Sequence, residues 1–289
     1  MLRKILLALL VLAGTVVWLY VSVSGKAQKP PGNSPQWFAE NRATDKKSKV
    51  VVCIGDSITH GRVSHNYVDL LSKRFNGKDV VFINAGINGE LAWNVVQRLD
   101  AVIACHPDVV TVLIGTNDVN AMLSEKNGRR AVTNMKLPQM PSRPWYLENL
   151  RKICTVLKAQ TSAKIALLSL PPIGEAPSSA GVLQSAQFSS VVRAASAEQG
   201  VDYLPLNETM ARYLAEKKHR PKLADAAGYM PVMYKGIFSH FVLGKSFDEI
   251  AAANGFLLVT DFLHLNSRGA AMAADLIEGF VRETLPMGD

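Results

Sequence analysis

Short apolar runs alternate along the chain with stretches in which apolar residues recur every three or four positions. The runs have the length of strands, and the stretches between them have helical spacing, which is typical of a parallel sheet covered by helices on both faces. The pattern therefore predicts an α/β protein, a three-layer α/β/α sandwich around a mostly parallel five-stranded sheet. The predicted strands are Lys49–Ile54, Val80–Ile83, Val109–Ile114, Lys164–Leu170 and Val201–Leu204.

Helices are predicted between these strands and after the last of them. The spacing indicates helices over Tyr67–Phe75, Trp145–Lys158 and Val182–Glu198, one with Val95, Val96, Leu99, Val102 and Ile103 on one face, and one through Met272, Leu276 and Phe280. Asn266 or Ser267 would cap this closing helix. Because open parallel sheets bind ligands beyond the carboxyl ends of their strands, polar residues at those ends are the candidates for a site.

The amino-terminal segment has a different pattern. The 21 residues from Ile5 to Gly25 carry no charge, and as a helix they would span about 30 Å, the thickness of a bilayer core. A cleaved signal has a shorter apolar region of roughly 7–15 residues, and Ser24–Ala27 is a poor cleavage site. We expect residues 1–25 to be an uncleaved membrane anchor that places the domain in the periplasm or outside the cell. Secretion after signal cleavage is the alternative.

The remaining residues divide into a linker and a domain. Residues 26–48 are rich in Lys, Pro, Asn and Ser, which predicts a linker with little regular structure. Residues 49–289 are the predicted domain, with an insertion around residues 205–255. The formal net charge of +8 is concentrated before the domain, since residues 1–49 carry eight Lys or Arg and two acidic residues. The basic flank suits an anionic membrane surface, and no nucleic-acid partner is expected.

The cysteines are few and scattered. Cys53, Cys105 and Cys154 form no CxxC pair, which argues against a metal site or a disulfide framework. Buried thiols are the favoured interpretation, with a single disulfide left open for an exported protein. We expect neither a metal nor a cofactor.

Polar residues follow the predicted strands at four points. The segments are Gly55-Asp56-Ser57, Asn84 to Gly89, Gly115 to Asp118, and Asp261 to His264 before the closing helix. Together they contain a hydroxyl nucleophile, a base, a carboxylate to orient the base, and donors for an oxyanion. Acyl transfer requires this combination of groups.

These segments resemble the four blocks of the SGNH/GDSL hydrolases, in the order of that family: GDSIT, INGE, GTND and DFLHLN. The resemblance implies a flavodoxin-like fold with Ser57 as the nucleophile, His264 as its base and Asp261 as the group that orients the imidazole. It also implies that the backbone N–H groups of Ser57 and Gly89 and the side-chain amide of Asn117 hold the oxyanion. Each residue has a structural alternative, as a helix cap, a turn or a surface group.

Two neighbours of these blocks have predicted structural roles. His60 is expected to pack near the helix start rather than to act as a second base. Asp56 is expected to fix the turn by accepting hydrogen bonds from nearby backbone groups.

Each of two longer segments has two possible interpretations. The basic loop Leu123–Pro144 either overhangs the pocket and favours anionic or phosphorylated substrates, or is simply solvated. The segment Gly228–Phe241 either lines an acyl pocket as a cap or forms a small packed subdomain.

The sequence thus predicts a membrane-tethered serine esterase that cleaves a carboxylic ester through an acyl-enzyme. The expected substrates are an acetylated envelope glycan, a lysophospholipid or another short acyl ester. An acyltransferase with the same residues is one alternative, and a non-catalytic domain that binds a glycan or a partner is another.

Overall fold

A parallel sheet with the strand order β2-β1-β3-β4-β5 forms the centre of the domain in the computed structural model. The structure describes residues 14–15, 18–19, 21–41, 48–223 and 229–285. The strands are β1 Lys49–Gly55, β2 Val80–Gly86, β3 Val109–Leu113, β4 Lys164–Leu168 and β5 Asp202–Leu204. All pairings among these strands are parallel, which confirms the predicted fold class.

Helices cover both faces of this sheet. In chain order they are α1 Pro35–Asn41, α2 Ser57–His60, α3 Tyr67–Arg74, α4 Ala92–Val96, α5 Leu99–Ile103, α6 Thr116–Met122, α7 Glu125–Met135, α8 Arg143–Gln160, α9 Ala180–Gln199, α10 Leu206–Glu216, α11 Tyr229–Phe241, α12 Phe247–Asn254 and α13 Ser267–Thr284. Residues 21–28 are also helical. The predicted insertion around residues 205–255 contains α10, α11 and α12.

Strand register brings the site segments to one edge of the sheet. Gly55, at the end of β1, pairs with Gly86 of β2 and with Leu113 of β3. All the strands run in the same direction, so the residues that follow β1, β2 and β3 emerge side by side. The closing helix α13 is capped by Asn266, whose Oδ1 accepts a hydrogen bond from Gly269 N at 3.0 Å. One of the two predicted caps is thereby confirmed.

The predicted single helix through Val95 and Ile103 is wrong, because α4 and α5 are separate helices. Arg98, which lies between them, has φ −132° and does not continue the helix. Its guanidinium donates to the carbonyl of Ala85 at 2.8 Å and pairs with Glu90. These tertiary contacts outweigh the local preference for one continuous helix.

The prediction of a loop over Leu123–Pro144 is also wrong, since half of this basic segment forms α7. Ser124 begins the helix, and its Oγ accepts a hydrogen bond from Asn127 N at 3.2 Å. A serine at this position satisfies a backbone donor that the helix leaves free. An ion pair between Glu125 and Arg129, one helical turn apart, adds to the stability of this first turn.

The predicted linker is partly folded onto the domain. Asn33 lies along β2: its carbonyl accepts from Asn84 N at 2.9 Å, and its side-chain amide donates to the carbonyl of Phe82 at 3.1 Å. Phe38 of α1 is only 6% exposed and belongs to the main core. Since β2 is an edge strand, its unpaired groups and its apolar flank are covered by this segment. The expectation of little regular structure is therefore wrong for residues 26–28 and 35–41, which are helical, whereas residues 29–34 contain neither helix nor strand.

Most of the predicted membrane anchor lies outside the described residues, which begin at residue 14 and have gaps at 16–17 and 20. Within the described part of the chain, no helix has both the length and the hydropathy needed to cross a bilayer. The three cysteines, in contrast, are all described. Each is a buried thiol outside any disulfide between described residues, as the sequence predicted.

Candidate active site

Ser57 is the first residue of α2, directly after β1. Asp56 caps this short helix, because its Oδ1 accepts a hydrogen bond from Ile58 N at 2.9 Å, which confirms its predicted role in the turn. The turn also requires glycine at position 55. A Cβ there would lie 2.5 Å from the carbonyl oxygen of Leu113 on the adjacent strand. The sharp exit from β1 therefore holds the Ser57 side chain at the edge of the sheet.

His264 and Asp261 come from one tight turn before α13. The Nε2 atom of His264 lies 3.0 Å from Ser57 Oγ, and its Nδ1 lies 2.8 Å from Asp261 Oδ2. The other carboxylate oxygen of Asp261 accepts the backbone N–H groups of Leu263 and His264 at 3.1 and 3.0 Å. These bonds fix the carboxylate against the imidazole, so the three side chains form a continuous chain of hydrogen bonds.

Burial and pairing act in opposite directions on the pKa values of this pair. Both side chains are almost fully buried. Burial alone would raise the pKa of Asp261, but the adjacent His264 and the two backbone N–H groups bring it below its usual value. Burial alone would lower the pKa of His264, but Asp261 raises it above 6.5. The imidazole is therefore a stronger base than a free histidine.

Gly89 and Asn117 lie in the same cavity as Ser57 and His264. Gly89 adopts φ +80°, a left-handed conformation that favours glycine. No described residue accepts a hydrogen bond from the backbone N–H of Ser57 or of Gly89. The side-chain Nδ2 of Asn117 donates to the carbonyl of Glu90 at 3.0 Å and lies 3.4 Å from Asp56 Oδ2. The residues that carry the predicted donors thus line the cavity that contains Ser57.

An ion pair that the sequence interpretation did not identify supports this loop. Arg98 Nε donates to Glu90 Oε2 at 2.7 Å, and both side chains are largely buried. The guanidinium also donates to the carbonyls of Gly55 and Ala85, at 3.3 and 2.8 Å. Arg98 therefore connects the carboxyl ends of β1 and β2 to Glu90, whose backbone carbonyl orients the side chain of Asn117. Its only sequence signal, a basic residue within an apolar helical pattern, is weak.

Two buried carboxyl groups lie beneath the site. Burial raises the pKa of Asp56 to about 7, although Ile58 N–H and His264 lower it. Burial raises the pKa of Asp118 to about 8, although Ala92 N–H, which donates to Asp118 Oδ2 at 3.1 Å, opposes this shift. Raised pKa values reduce the negative charge beneath the oxyanion donors near neutral pH.

Glu175 is a further missed residue, and it positions the turn that carries the Asp261–His264 pair. Its side chain is fully buried in the loop after β4. Its Oε1 accepts three consecutive backbone N–H groups, those of Leu257, Leu258 and Val259, at 2.6–3.0 Å. The preceding residue, Gly174, donates its N–H to the carbonyl of Phe262 at 2.8 Å. The sequence signal that could have identified Glu175 was an acidic residue in the segment that follows the predicted fourth strand.

We expect Glu175→Ala to lower kcat about 10-fold to 100-fold with little change in KM, because the turn that carries His264 loses its anchor. The free energy of unfolding should fall by about 3 kcal/mol, since buried N–H groups are left without an acceptor. Glu198→Ala is the control: its exposed ion pair with Arg151 should contribute less than about 1 kcal/mol. Denaturant unfolding and steady-state kinetics measure both effects. The same kcat and the same free energy of unfolding in the two variants would contradict the role of Glu175.

The cavity at Ser57 has a volume of about 760 Å³ and is lined in part by α11. Tyr229, Met233, Tyr234, Ile237 and Phe238 of this helix all face it, so the segment predicted as a cap or a subdomain does line the site. His60 does not line this cavity. It is 4% exposed at the end of α2, where burial lowers its pKa to about 4.

The chain is similar to known proteins in sequence pattern and in fold. The model of the GDSL-like Lipase/Acylhydrolase family matches residues 53–272. The acetyl xylan esterase AlAXEase superposes with a TM-score of 0.59 at 20% identity, covering 80% of this chain and 99% of that chain. Axe2, an acetylxylan esterase from Geobacillus stearothermophilus, gives 0.57 at 18% identity, over 83% of this chain and 96% of that chain. The lipase/acylhydrolase from Enterococcus faecalis gives 0.55 at 20% identity, over 83% and 99% respectively. A comparison with curated proteins found no match.

Proposed function

As a member of the GDSL-like lipase/acylhydrolase family, this chain is a serine ester hydrolase, and we propose that it cleaves a carboxylic ester through an acyl-enzyme on Ser57. The observation that carries the proposal is the hydrogen-bond chain from Ser57 Oγ through His264 to Asp261, at 3.0 and 2.8 Å. A nucleophile, a base and an orienting carboxylate at these distances are the parts needed for acyl transfer.

In the proposed acylation step, Ser57 Oγ attacks the ester carbonyl carbon while its proton passes to His264 Nε2. The carbonyl electron pair moves onto the oxygen, and the tetrahedral intermediate then collapses with loss of the alcohol. The alcohol leaves with the proton from His264. Water then attacks the acyl-enzyme by the same route, with His264 as the base, which releases the acid and restores Ser57.

The negative oxygen of the intermediate would be held by three donors. Two are the backbone N–H groups of Ser57 and Gly89, and the third is Nδ2 of Asn117. This amide carries two hydrogens, and one of them is donated to the carbonyl of Glu90 at 3.0 Å. That bond fixes the plane of the amide, and its second hydrogen, which makes only a long contact of 3.4 Å with Asp56 Oδ2, would be donated to the oxyanion instead.

Asn117→Ala is expected to lower kcat by about 10²–10³-fold, because one donor to the developing oxyanion is removed. KM should change much less, since the interaction is stronger in the transition state than with bound substrate. Steady-state kinetics on a nitrophenyl ester measure both constants. A change confined to KM would show that Asn117 binds substrate instead of stabilising the transition state.

We also propose that the amino-terminal leader stays attached and holds the enzyme at a membrane, outside the cytoplasm, through the part of the uncharged run that precedes Leu19. The contacts of the segment after it support this proposal. Ala27 is 8% exposed, and its carbonyl accepts a hydrogen bond from Asn88 Nδ2 at 2.9 Å. The candidate cleavage region Ser24–Ala27 is thus helical and ends in a residue packed on the domain, an arrangement that disfavours cleavage.

The protein from the membrane fraction of cells is therefore expected to keep its amino-terminal residues. Mass spectrometry of the intact protein measures this directly. A mature terminus near Ala27 or Gln28 would mean that the leader is a cleaved signal, and the proposed anchor would be wrong.

A further inference from the structure

We propose that the amino-terminal helical segment is part of the substrate site and makes it selective for amphiphilic esters. The acyl chain of such an ester would bind between this segment and α11, and its polar head would enter a second cavity beside Arg130. The proposal rests on the proposed hydrolysis at Ser57. Its amino-terminal segment lies before the part of the chain matched by the family model, which begins at residue 53.

One wall of the cavity at Ser57 comes from the amino-terminal segment. Leu19, Val23 and Ala27 line this cavity together with Ser57. Their spacing of four residues places them on one face of a helix. The hydrogen bond from Asn88 Nδ2 to the carbonyl of Ala27, at 2.9 Å, attaches the segment to the loop that carries the predicted oxyanion donors. The segment is therefore held against the site by a specific contact.

The opposite wall is largely apolar. It includes Met233, Ile237 and Phe238 of α11, with Leu263 from the turn next to His264, and its polar groups are those of Tyr229, Tyr234 and Lys235. A sugar would bring hydroxyl groups that need hydrogen-bond partners, and burying them without partners is costly. A hydrocarbon chain has no such requirement and gains from each methylene removed from water. The lining therefore favours an acyl chain longer than acetyl.

A second cavity of about 640 Å³ adjoins the first and shares Gly89 and Asn117 with it. Its other lining is more polar and includes Asn120, Asn127, Asn134 and Arg130. No described carboxylate lies within ion-pair distance of Arg130, whereas Arg129 is paired with Glu125 on the exposed side of α7. Arg130 is therefore available for a negatively charged head group.

The position of the oxyanion donors explains why both cavities would be used at once. Gly89 and Asn117 lie where the two cavities meet, so an ester carbonyl bound to them would have its acyl chain on one side and its alcohol on the other. An amphiphilic ester has this arrangement of groups. A short acetyl ester would leave the apolar cavity empty and would lose the gain from burying a chain.

Substitutions on two faces of the amino-terminal segment test the apolar wall in the full-length protein. The wild type should prefer p-nitrophenyl decanoate to p-nitrophenyl acetate, with kcat/KM rising up to about fourfold for each buried methylene. Val23→Gln should lower kcat/KM for the decanoate about 10-fold and that for the acetate much less. Val21→Gln is the matched control, because Val21 is 61% exposed and does not line the cavity. Equal rates for the two variants on the decanoate would overturn the proposal.

A second pair of variants tests the head-group cavity. The substrates are decanoyl glycerol 3-phosphate and uncharged monodecanoyl glycerol, both below their aggregation concentrations. Arg130→Gln should raise KM for the phosphorylated ester about 10-fold and leave the uncharged ester unchanged, while Arg129→Gln should alter neither. The same KM for the phosphorylated ester in both variants would remove Arg130 from the proposal.

A fluorophosphonate separates failure of this inference from failure of the proposed function. If Ser57 is labelled and acetate is cleaved, but rates do not depend on chain length, the esterase proposal stands and the amphiphile proposal is wrong. If Ser57 is not labelled, the proposed function itself is wrong.

Discussion

Replacing Ser57 by alanine should lower kcat by about 10⁴–10⁶-fold and leave the free energy of unfolding nearly unchanged. The serine hydroxyl is the only group that the proposed mechanism uses to form a covalent bond with the substrate, and alanine removes it without adding bulk. Ser57 is half-buried at the start of α2, where Asp56 supplies the cap, so the helix keeps its first hydrogen bond. Steady-state hydrolysis of a nitrophenyl ester, with thermal unfolding, measures both quantities.

Ser190→Ala is the matched control for this prediction. Ser190 is exposed on α9, and its hydroxyl donates to the carbonyl of Ala186 within the same helix, at 3.2 Å. Its loss should leave kcat and stability unchanged. Wild-type activity in a folded Ser57→Ala protein would place the nucleophile elsewhere.

Asp261→Asn should lower kcat by about 10⁴-fold, because the imidazole loses the partner that sets its tautomer and stabilises its protonated form. The variant should also change the pH dependence of kcat/KM. His264 acts as a base only when neutral, so activity is present above its pKa and lost as the pH falls through it. Asp261 raises this pKa above 6.5 in the native protein, so the acidic limb should lie above pH 6.5. Without the Asp261 carboxylate, the acidic limb of the kcat/KM profile should move to lower pH.

The pH profile separates a catalytic role of Asp261 from a purely structural one. Asp275→Asn is the control, since Asp275 is exposed and pairs with Arg74 on the surface. It should alter neither the rate nor the position of the limb. A reduced rate for Asp261→Asn with an unshifted limb would mean that the carboxylate holds the turn without tuning His264.

The fold was predictable because its signal is repeated and local. Each central strand is buried on both faces, so the sequence shows it as a largely apolar run, unbroken at residues 50–54 of β1. The candidate site was predictable for a related reason. Parallel strands place all their carboxyl ends at one edge, so the polar residues after β1, β2 and β3 had to meet.

The remaining features depend on contacts between residues far apart in the chain. Arg98 interrupts a helical pattern because its partners, Glu90 and the carbonyl of Ala85, are fixed only after the sheet has formed. Glu175 acts on backbone N–H groups about 80 positions away, and no local pattern encodes such a bond. Phe38 lies in a segment with the polar composition of a linker. Its side chain is nevertheless buried, because the edge strand β2 has apolar surface that this segment covers.

The central claim, that Ser57 is the nucleophile of an acyl-transfer site, is tested most directly by mass spectrometry of the protein after reaction with a fluorophosphonate. The account predicts one adduct per chain, on the peptide that contains Ser57, and no adduct on the His264→Ala protein over the same time because the base is missing. An adduct on another residue, or none on the folded wild-type protein, would contradict it.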